Sequence, residues 1–315
     1  MDEARRNLMK GMLTGGTLLA LGVPGITQAV PINQSVSDKT RNCHLLVANT
    51  RIGEMFSRGA YAACASNTHY RQGILPTVKL EDELLTHPLR VAELLYRSRN
   101  TRWIAVMDDS SAAIFNELVR KLDGHLLSLG SHTSASSDDA TFPLRHVWTN
   151  ASPAYSAGGL LASGLMQSQQ NFSIVENFLE ESVGDGAMTG SSISGFWSYR
   201  SAGNQATHLH CAGVSPIEAC KSVGWKKSGK WESVSHRADE FRSDQDKAVR
   251  GTALVHPKFD NWEEATGFAI VAMALGMGIN QESCSSRAFV NSLGQRNSSD
   301  LELSGKHFVS FVVDV

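Results

Sequence analysis

The spacing of apolar residues along the chain predicts alternating strands and helices. Residues 44–48 and 103–107 are short, continuous apolar runs, which are typical of strands buried on both faces. Residues 88–98 begin with a proline and place apolar side chains at helical spacing, so we expect a helix there. Its apolar positions are Leu89, Ala92, Leu95 and Tyr96.

A strand–helix–strand unit over residues 103–129 is the clearest pattern in the chain. Its first strand ends at Asp108-Asp109-Ser110, which are helix-capping residue types, and the second strand spans residues 125–129. The length of the unit predicts a parallel crossover. The apolar stripe of its helix is Ile114, Phe115, Leu118, Val119 and Leu122.

The pattern changes after residue 144. A strand is predicted at 144–148, and the Gly-, Ser- and Ala-rich stretch 154–195 predicts two helices and a closing loop. The second of these helices holds Val175, Phe178 and Leu179. Strands at 196–200 and 207–214, a capping box from Ser215 to Glu218 and a hairpin over 224–236 indicate a more antiparallel region.

The last part of the chain predicts a buried helix and a final strand. Residues 262–279 are almost uniformly apolar and include Gly267, Gly276 and Gly278, which indicates a central helix approached closely by other backbones. Residues 308–315 predict a strand buried on at least one face. We expect an α/β or α+β fold: a mixed sheet with at least one parallel βαβ unit, helices on both faces and an antiparallel C-terminal half.

Composition and charge exclude several classes of protein. The 315 residues are 42% hydrophobic and 19% charged, and their net charge of -2 supplies no basic field for nucleic acid. The five cysteines include no C-x-x-C pair, which argues against c-type haem and Cys-ligated iron–sulfur clusters.

Residues 4–29 carry the most specific motif in the sequence. Arg5 and Arg6 precede Leu8, Met9 and Lys10, then a glycine-softened apolar stretch and the small-residue end at Ala29. This resembles a twin-arginine export signal. The resemblance implies recognition by the twin-arginine export machinery, export of an already folded protein to the periplasm, and cleavage near Ala29.

The export motif and the predicted elements together suggest an organisation for the whole chain. We expect a signal peptide at 1–29, a linker at 30–42, and one α/β domain at 43–315, or two tightly joined halves with a boundary near 150–195. The alternative for the amino terminus is an amphipathic helix or a membrane anchor, but its apolar stretch is too short and too broken to span a bilayer of about 30 Å. No stable transmembrane anchor is therefore expected after cleavage.

The first candidate site follows from the predicted parallel crossover. The carboxyl ends of parallel strands share one edge of a sheet, which would bring Asp108 and Asp109 towards His132. A carboxylate beside an imidazole can perform acid–base catalysis or bind a cation. The alternative is that Asp109 or Ser110 only caps the helix and His132 lies in a solvated loop.

The second candidate is the pair His208 and His210. In a strand they would share one face, about 6.6 Å apart along the chain, which suits two imidazole ligands of Zn or Cu, while Cys211 would point to the other face. The alternative is a pair of structural histidines. A third ligand would come from His236, His256 or Asp239.

Other motifs are incomplete. The loop at 184–195 lacks the lysine of a P-loop, and no G-x-S-x-G motif marks a nucleophilic serine. Cys64 and Cys284 are possible nucleophiles, with inert buried thiols as the alternative. Residues 262–278, WEEATGFAIVAMALGMG, resemble the corresponding helix of nitroreductase-type flavoproteins, but no arginine and serine motif for the phosphate of FMN accompanies them.

Two functional hypotheses remain at this point. The first is an exported, non-catalytic protein that binds a small ligand or a metal, or assists an exported complex. The second is a periplasmic enzyme, either a metal-assisted hydrolase or a flavin or metal oxidoreductase. The absence of a complete catalytic motif favours the first hypothesis.

The export motif makes a direct prediction. Changing Arg5 and Arg6 together to Lys should leave the precursor in the cytoplasm, because recognition depends on that pair. Cell fractionation measures this, and sequencing of the mature amino terminus tests cleavage near Ala29 separately. Unchanged export of the double variant would contradict the motif.

Overall fold

A computed structural model describes residues 42–67, 75–80, 88–133, 144–150, 157–167, 171–178, 197–201, 204–224, 231–233, 257–277, 284–291 and 307–315. These stretches form one mixed sheet with helices on both faces, which confirms the predicted α/β class. The strands are β1 (Asn42–Ala48), β2 (Thr77–Leu80), β3 (Thr101–Met107), β4 (His125–Thr133), β5 (Leu144–Asn150), β6 (Asn171–Phe178), β7 (Trp197–Ser201), β8 (Asn204–Ala212), β9 (Trp231–Ser233), β10 (Cys284–Asn291) and β11 (His307–Asp314). The helices are α1 (Arg51–Ser66), α2 (Pro88–Arg97), α3 (Asp109–Lys121), α4 (Gly158–Gln167), α5 (Pro216–Ser222) and α6 (Trp262–Ala274).

The eleven strands lie in the order β2-β1-β3-β11-β4-β5-β10-β6-β8-β7-β9. β1 pairs in parallel with both β2 and β3, and α1 connects β1 to β2 in a βαβ unit. From β11 to β9 every pairing is antiparallel. The antiparallel part is thus larger than the C-terminal half that the sequence indicated.

The crossover predicted over residues 103–129 differs from expectation in one respect. β3 and β4 run in the same direction, but they do not pair, because β11 lies between them and is antiparallel to both. The carboxyl ends of β3 and β4 therefore still reach the same edge of the sheet. Between them at that edge lies the start of β11, at His307.

The prediction of a second helix in the 154–195 stretch is wrong. Residues 171–178 form the strand β6, between β10 and β8. Phe172 and Ile174 pack on one face of the sheet and Val175 on the other, so both faces are buried. Burial on both faces removes the alternation that would have distinguished this strand from a helix.

Two of the helices also differ in detail from the prediction. In α2 the buried residues are Val91 and Leu95, whereas Leu89 and Tyr96 are exposed, so the buried stripe is rotated from the one expected. α6 ends at Ala274 rather than near residue 279, because Gly276 adopts a φ of 80° and ends the helix.

The sheet separates two hydrophobic layers. The α1/α6 face, on which α4 also packs, receives Ile104, Val106 and Val312. The α2/α3 face receives Ala105 and Phe311 from the same strands. α5 covers Leu209 and Cys211 further along the α2/α3 face. Neighbouring residues on a central strand thus serve different layers.

The close approach expected at Gly267 is confirmed. α1 and α6 cross so closely that a Cβ on Gly267 would lie 2.2 Å from the carbonyl oxygen of Phe56. A Cβ on Gly59 would lie 1.9 Å from the carbonyl oxygen of Glu264. Both contacts involve backbone, which cannot move aside as a flexible side chain can.

Several of the predicted features lie outside the described residues. They are the signal peptide, most of the linker, the loop at 184–195, the turn of the hairpin, and His236, Asp239 and His256. The strand at the end of that hairpin, β9, pairs with β7. Of the helices that the structure describes, none has the length and apolar character needed to cross a membrane.

From the close crossing of α1 and α6 we expect one added methyl group to cause a large loss of stability. Gly267→Ala should lower the free energy of unfolding by about 2 kcal/mol or more, because the Cβ forces two backbones apart. Gly164→Ala in α4 is the matched control. Its Cβ meets the edge of the Phe259 ring at 3.0 Å, which can shift. Urea unfolding measures both changes, and equal losses would contradict the prediction.

Candidate functional site

The first candidate carboxylate, Asp108, caps helix α3. Its Oδ1 accepts hydrogen bonds from the backbone N–H groups of Ser110 and Ser111, both at 2.9 Å, and its Oδ2 accepts one from the Ser111 hydroxyl. Partial burial would raise the pKa of Asp108, but these bonds outweigh burial and lower it. The cap is therefore Asp108, not Asp109 or Ser110 as considered from the sequence.

Asp109 is left available by that cap, and it contacts a histidine from the other end of the chain. Its Oδ1 lies 2.7 Å from Nδ1 of His307, off the direction of the ring N–H, so the contact is an ion pair when the imidazole is charged. On the opposite side of the ring, Nε2 of His307 lies 2.8 Å from Oγ of Ser131. A carboxylate, an imidazole and a hydroxyl are thus in continuous contact, and we call these three residues the Asp109–His307–Ser131 triad.

The order of the strands explains this chain of contacts. Asp109 follows β3, His307 begins β11, and Ser131 lies near the end of β4. Because β11 lies between β3 and β4, its histidine lies between the other two side chains. Ser131 pairs with Val309, so it reaches His307 along the diagonal of the antiparallel ladder.

His132, the third predicted member of the first candidate site, points to the other side of the sheet. It is fully buried on the α1/α6 face, where its ring stacks on Phe308. Its Nδ1 lies 2.8 Å from Nδ1 of His146, and its Nε2 lies 2.8 Å from Oγ of Ser310. The structure therefore brings Asp109 to His307 and separates it from His132 by the thickness of the sheet.

The two buried imidazoles are held in the neutral form. Burial lowers the pKa of His146 to about 3. Burial, together with the charges of His146 and His307, lowers the pKa of His132 well below its ordinary value. A neutral pair permits one nitrogen to donate and the other to accept in the contact between them. Trp262 covers this pair, with its ring centroid 5.2 Å from that of His146.

Gly130 makes room for the contact between His132 and Ser310. A Cβ at this position would lie 2.6 Å from Oγ of Ser310 and 2.7 Å from Nε2 of His132. No larger residue fits without displacing one of the two hydrogen-bonding atoms. Gly130 is therefore a steric requirement of the buried network.

The second candidate, His208 and His210, lies on one face of β8 as predicted. Both are buried on the α1/α6 face, and Cys211 packs on the opposite face. Nε2 of His210 lies 3.1 Å from Oε2 of Glu176 on β6. The other oxygen of that carboxylate accepts hydrogen bonds from Gly158 N at 3.0 Å and from the Ser286 hydroxyl at 3.2 Å.

This arrangement explains His210 as part of a buried polar network, while His208 packs against the ring of Phe178. Within the stretches that the structure describes, no three His, Cys, Asp or Glu side chains are placed to hold a metal ion. Zn or Cu binding at His208 and His210 stays a prediction that depends on His236, His256 or Asp239. Burial raises the pKa of the Cys64 thiol to about 11 and that of Cys284 to about 12, which favours the inert alternative for both.

Sequence reasoning missed His307, His146 and Glu176. His307 starts the last strand, and nothing along the chain links it to residues near 109 and 131. Glu176 was assigned to a helix that does not exist. The one available signal for Ser131 was its place directly after a predicted strand, beside the two aspartates at the same sheet edge.

Comparison with known proteins supplies no relative: no protein-family model matches the chain, and no curated protein or solved structure matches it significantly. The case for a function therefore rests on the geometry of the described residues.

The buried histidine pair predicts a dependence of stability on pH. The unfolded chain protonates these imidazoles below about pH 6.5, whereas the folded protein keeps them neutral. Stability should therefore fall as pH drops below that value, by up to about 1.4 kcal/mol per pH unit for each histidine.

Replacing His146 by Phe should make this slope shallower. Phe308→Leu is the control, because it disturbs the same cluster without removing a titrating group, and it should lower stability equally at every pH. Urea unfolding between about pH 7 and 4.5 measures both variants. Identical slopes for wild type and His146→Phe would contradict the assignment.

Proposed function

We propose that the protein is exported by the twin-arginine route and acts in the periplasm as a serine-dependent hydrolase of carboxylic esters. One observation carries the catalytic part of this proposal. Nε2 of His307 is 2.8 Å from the Ser131 hydroxyl, while Nδ1 of the same ring lies 2.7 Å from the Asp109 carboxylate, off the direction of the ring N–H. A hydroxyl, an imidazole and a carboxylate in contact are the groups by which a histidine activates a serine, and such a site is recognised by geometry rather than by sequence motif.

Each residue of the Asp109–His307–Ser131 triad has a defined role in acyl transfer. With the proton on Nδ1, the Nε2 lone pair of His307 accepts the Ser131 proton as Oγ attacks the carbonyl carbon of the ester. Asp109 stabilises the imidazolium that forms. His307 then gives its proton to the departing alkoxide, leaving an acyl group on Oγ. A water molecule, deprotonated in turn by Nε2, hydrolyses that acyl group and restores the serine.

Solvent reaches the three side chains of the triad, as a hydrolytic site requires. The side chain of Asp109 is 53% exposed and that of His307 17%, and Ser131 is half-buried. The buried histidine pair on the other face has no comparable access. The exposed edge of the sheet is therefore the better place for a reaction with a dissolved substrate.

The charges near Ser131 favour neutral or cationic esters. Asp108 and Asp109 are exposed at the same sheet edge, and a lowered pKa keeps Asp108 ionised. Two carboxylates at this sheet edge repel an anionic acyl group. We therefore expect acetate esters to react faster than esters that carry a free carboxylate.

Export is supported by the motif at residues 4–29 and by nothing in the described residues. The twin-arginine resemblance implies that the protein crosses the membrane folded. A catalytic site whose residues are distant in sequence exists only in the folded state, so export in that state would deliver it assembled.

A second candidate function is the binding of a small ligand or a metal without catalysis. It is favoured by one observation: Glu176 adds a carboxylate oxygen 3.1 Å from Nε2 of His210 on the strand that also carries His208. This function becomes the preferred one if wild-type protein holds stoichiometric metal and shows no reactive serine.

The hydrolase proposal is tested with a fluorophosphonate probe and a chromogenic acetate ester. Labelling should form a bond between Ser131 Oγ and phosphorus with loss of fluoride, and mass spectrometry should place it on that residue. Ser131→Ala should abolish labelling, and His307→Gln should lower the rate of ester hydrolysis by about 10²–10⁴-fold.

Ser128→Ala is the matched control. Ser128 is buried on the opposite face of the same strand, so this variant should label like the wild type. Labelling of Ser131→Ala at the wild-type rate would overturn the proposal.

A further inference from the structure

Strands β4 and β11 are joined by two side-chain hydrogen bonds on opposite faces of the sheet. On the α2/α3 face, Ser131 meets His307; on the α1/α6 face, His132 meets Ser310, also at 2.8 Å. Ser131 and His132 are neighbours on β4, so the exposed contact and the buried contact share one register. A shift of β11 by one residue along β4 would turn His307 and Ser310 to the opposite faces of the sheet and break both contacts.

The ladder between these strands has an irregularity close to the site. The pairing changes register between Val312 and Val313, so that Val312 opposes Ser128 and Val313 opposes Leu126. A β-bulge interrupts the regular backbone bonding at this point. From His307 to Val312 the pairing with β4 is regular, and the side-chain contact between His132 and Ser310 adds to the backbone ladder on this side of the irregularity.

The buried contact between His132 and Ser310 lies within this regular segment and is closely packed. Gly130 opposes Ser310 across the ladder, and the space that a Cβ would occupy is taken by Oγ of Ser310 and Nε2 of His132. His132 and Ser310 are sealed from solvent, so water does not compete for their hydrogen bond. The second nitrogen of His132 contacts His146 on β5, on the side of β4 away from β11.

We propose that His132 is a positioning residue for Ser131, and that it acts through its Nε2 contact with Ser310. This inference rests on the proposed function. The contact holds β11 in register with β4, and thereby holds Nε2 of His307 at hydrogen-bonding distance from the Ser131 hydroxyl. The contact with His146 contributes to stability but not to the alignment of the reactive pair.

Two amide substitutions distinguish the contributions of the contacts made by the two ring nitrogens of His132. The amide of Gln reaches the position of Nε2, so His132→Gln keeps the contact with Ser310 and loses the one with His146. Asn reaches only the position of Nδ1, so His132→Asn keeps the contact with His146 and loses the one with Ser310. Each variant removes one buried hydrogen bond, so their losses of stability should be similar.

The fluorophosphonate labelling rate of Ser131 should distinguish the variants. We expect His132→Gln to label within about threefold of wild type, and His132→Asn to label about a hundredfold more slowly, because a displacement of about 1 Å in a reacting group costs that much. Ser310→Ala should match His132→Asn, and the double variant should be no slower than either. Equal slowing by Gln and Asn would overturn the inference and leave a purely structural role.

A second measurement separates failure of this inference from failure of the proposed function. The ¹⁵N chemical shift of Nε2 in His307 reports its hydrogen bond to Ser131 whether or not the serine is reactive. The inference expects the wild-type shift in His132→Gln and the shift of a solvated imidazole in His132→Asn. If wild-type Ser131 does not label but these shifts differ as expected, the hydrolase proposal fails and the positioning role stands. Identical shifts in both variants would overturn the positioning role.

Discussion

The insertion of β11 between β3 and β4 is the constraint on which the rest of the structure depends. β11 is antiparallel to both neighbours, so it joins the parallel strands at one end of the sheet to the antiparallel strands at the other. It supplies Phe308 and Val312 to one hydrophobic layer and Phe311 and Val313 to the other. Its first residue also lies between the ends of β3 and β4, which is where the candidate site forms.

Environment separates the histidines on the two faces of the sheet into different roles. His132 and His146 are enclosed by aromatic rings and are held neutral by burial, so they serve as hydrogen-bonding groups. His307 lies at the sheet edge beside the Asp109 carboxylate, where its side chain is partly exposed to solvent. The same residue type is thus sealed in the core on one face of the sheet and reached by solvent at the edge on the other.

The sequence predicted local structure better than it predicted contacts between distant residues. Helix α3, with its stripe at Phe115 and Val119, follows from periodicity, and the capping box at Ser215 and Glu218 is confirmed. The strand β6 was missed because burial on both faces hides the alternation of a strand.

The candidate site was predicted only in part, for a related reason. Asp109 was placed at the correct sheet edge by the shared direction of β3 and β4. His307 could not be included, because strand order depends on pairing between segments that lie far apart in the chain. His132 was grouped with the aspartates because the predicted strand ended at residue 129. In the structure β4 continues to Thr133, so His132 is part of the strand and its side chain points to the opposite face of the sheet.

The late position of β11 in the chain has a consequence for the order of folding. β11 is synthesised after every other described strand, yet it lies in the interior of the sheet. Until it emerges from the ribosome, β3 and β4 expose unpaired edges, and neither hydrophobic layer can close across the gap. Formation of the native sheet therefore waits for these final contacts, which are distant in sequence and slow to form. A nascent chain that has not yet incorporated β11 therefore exposes unpaired strand edges and apolar surface, which makes it prone to aggregate.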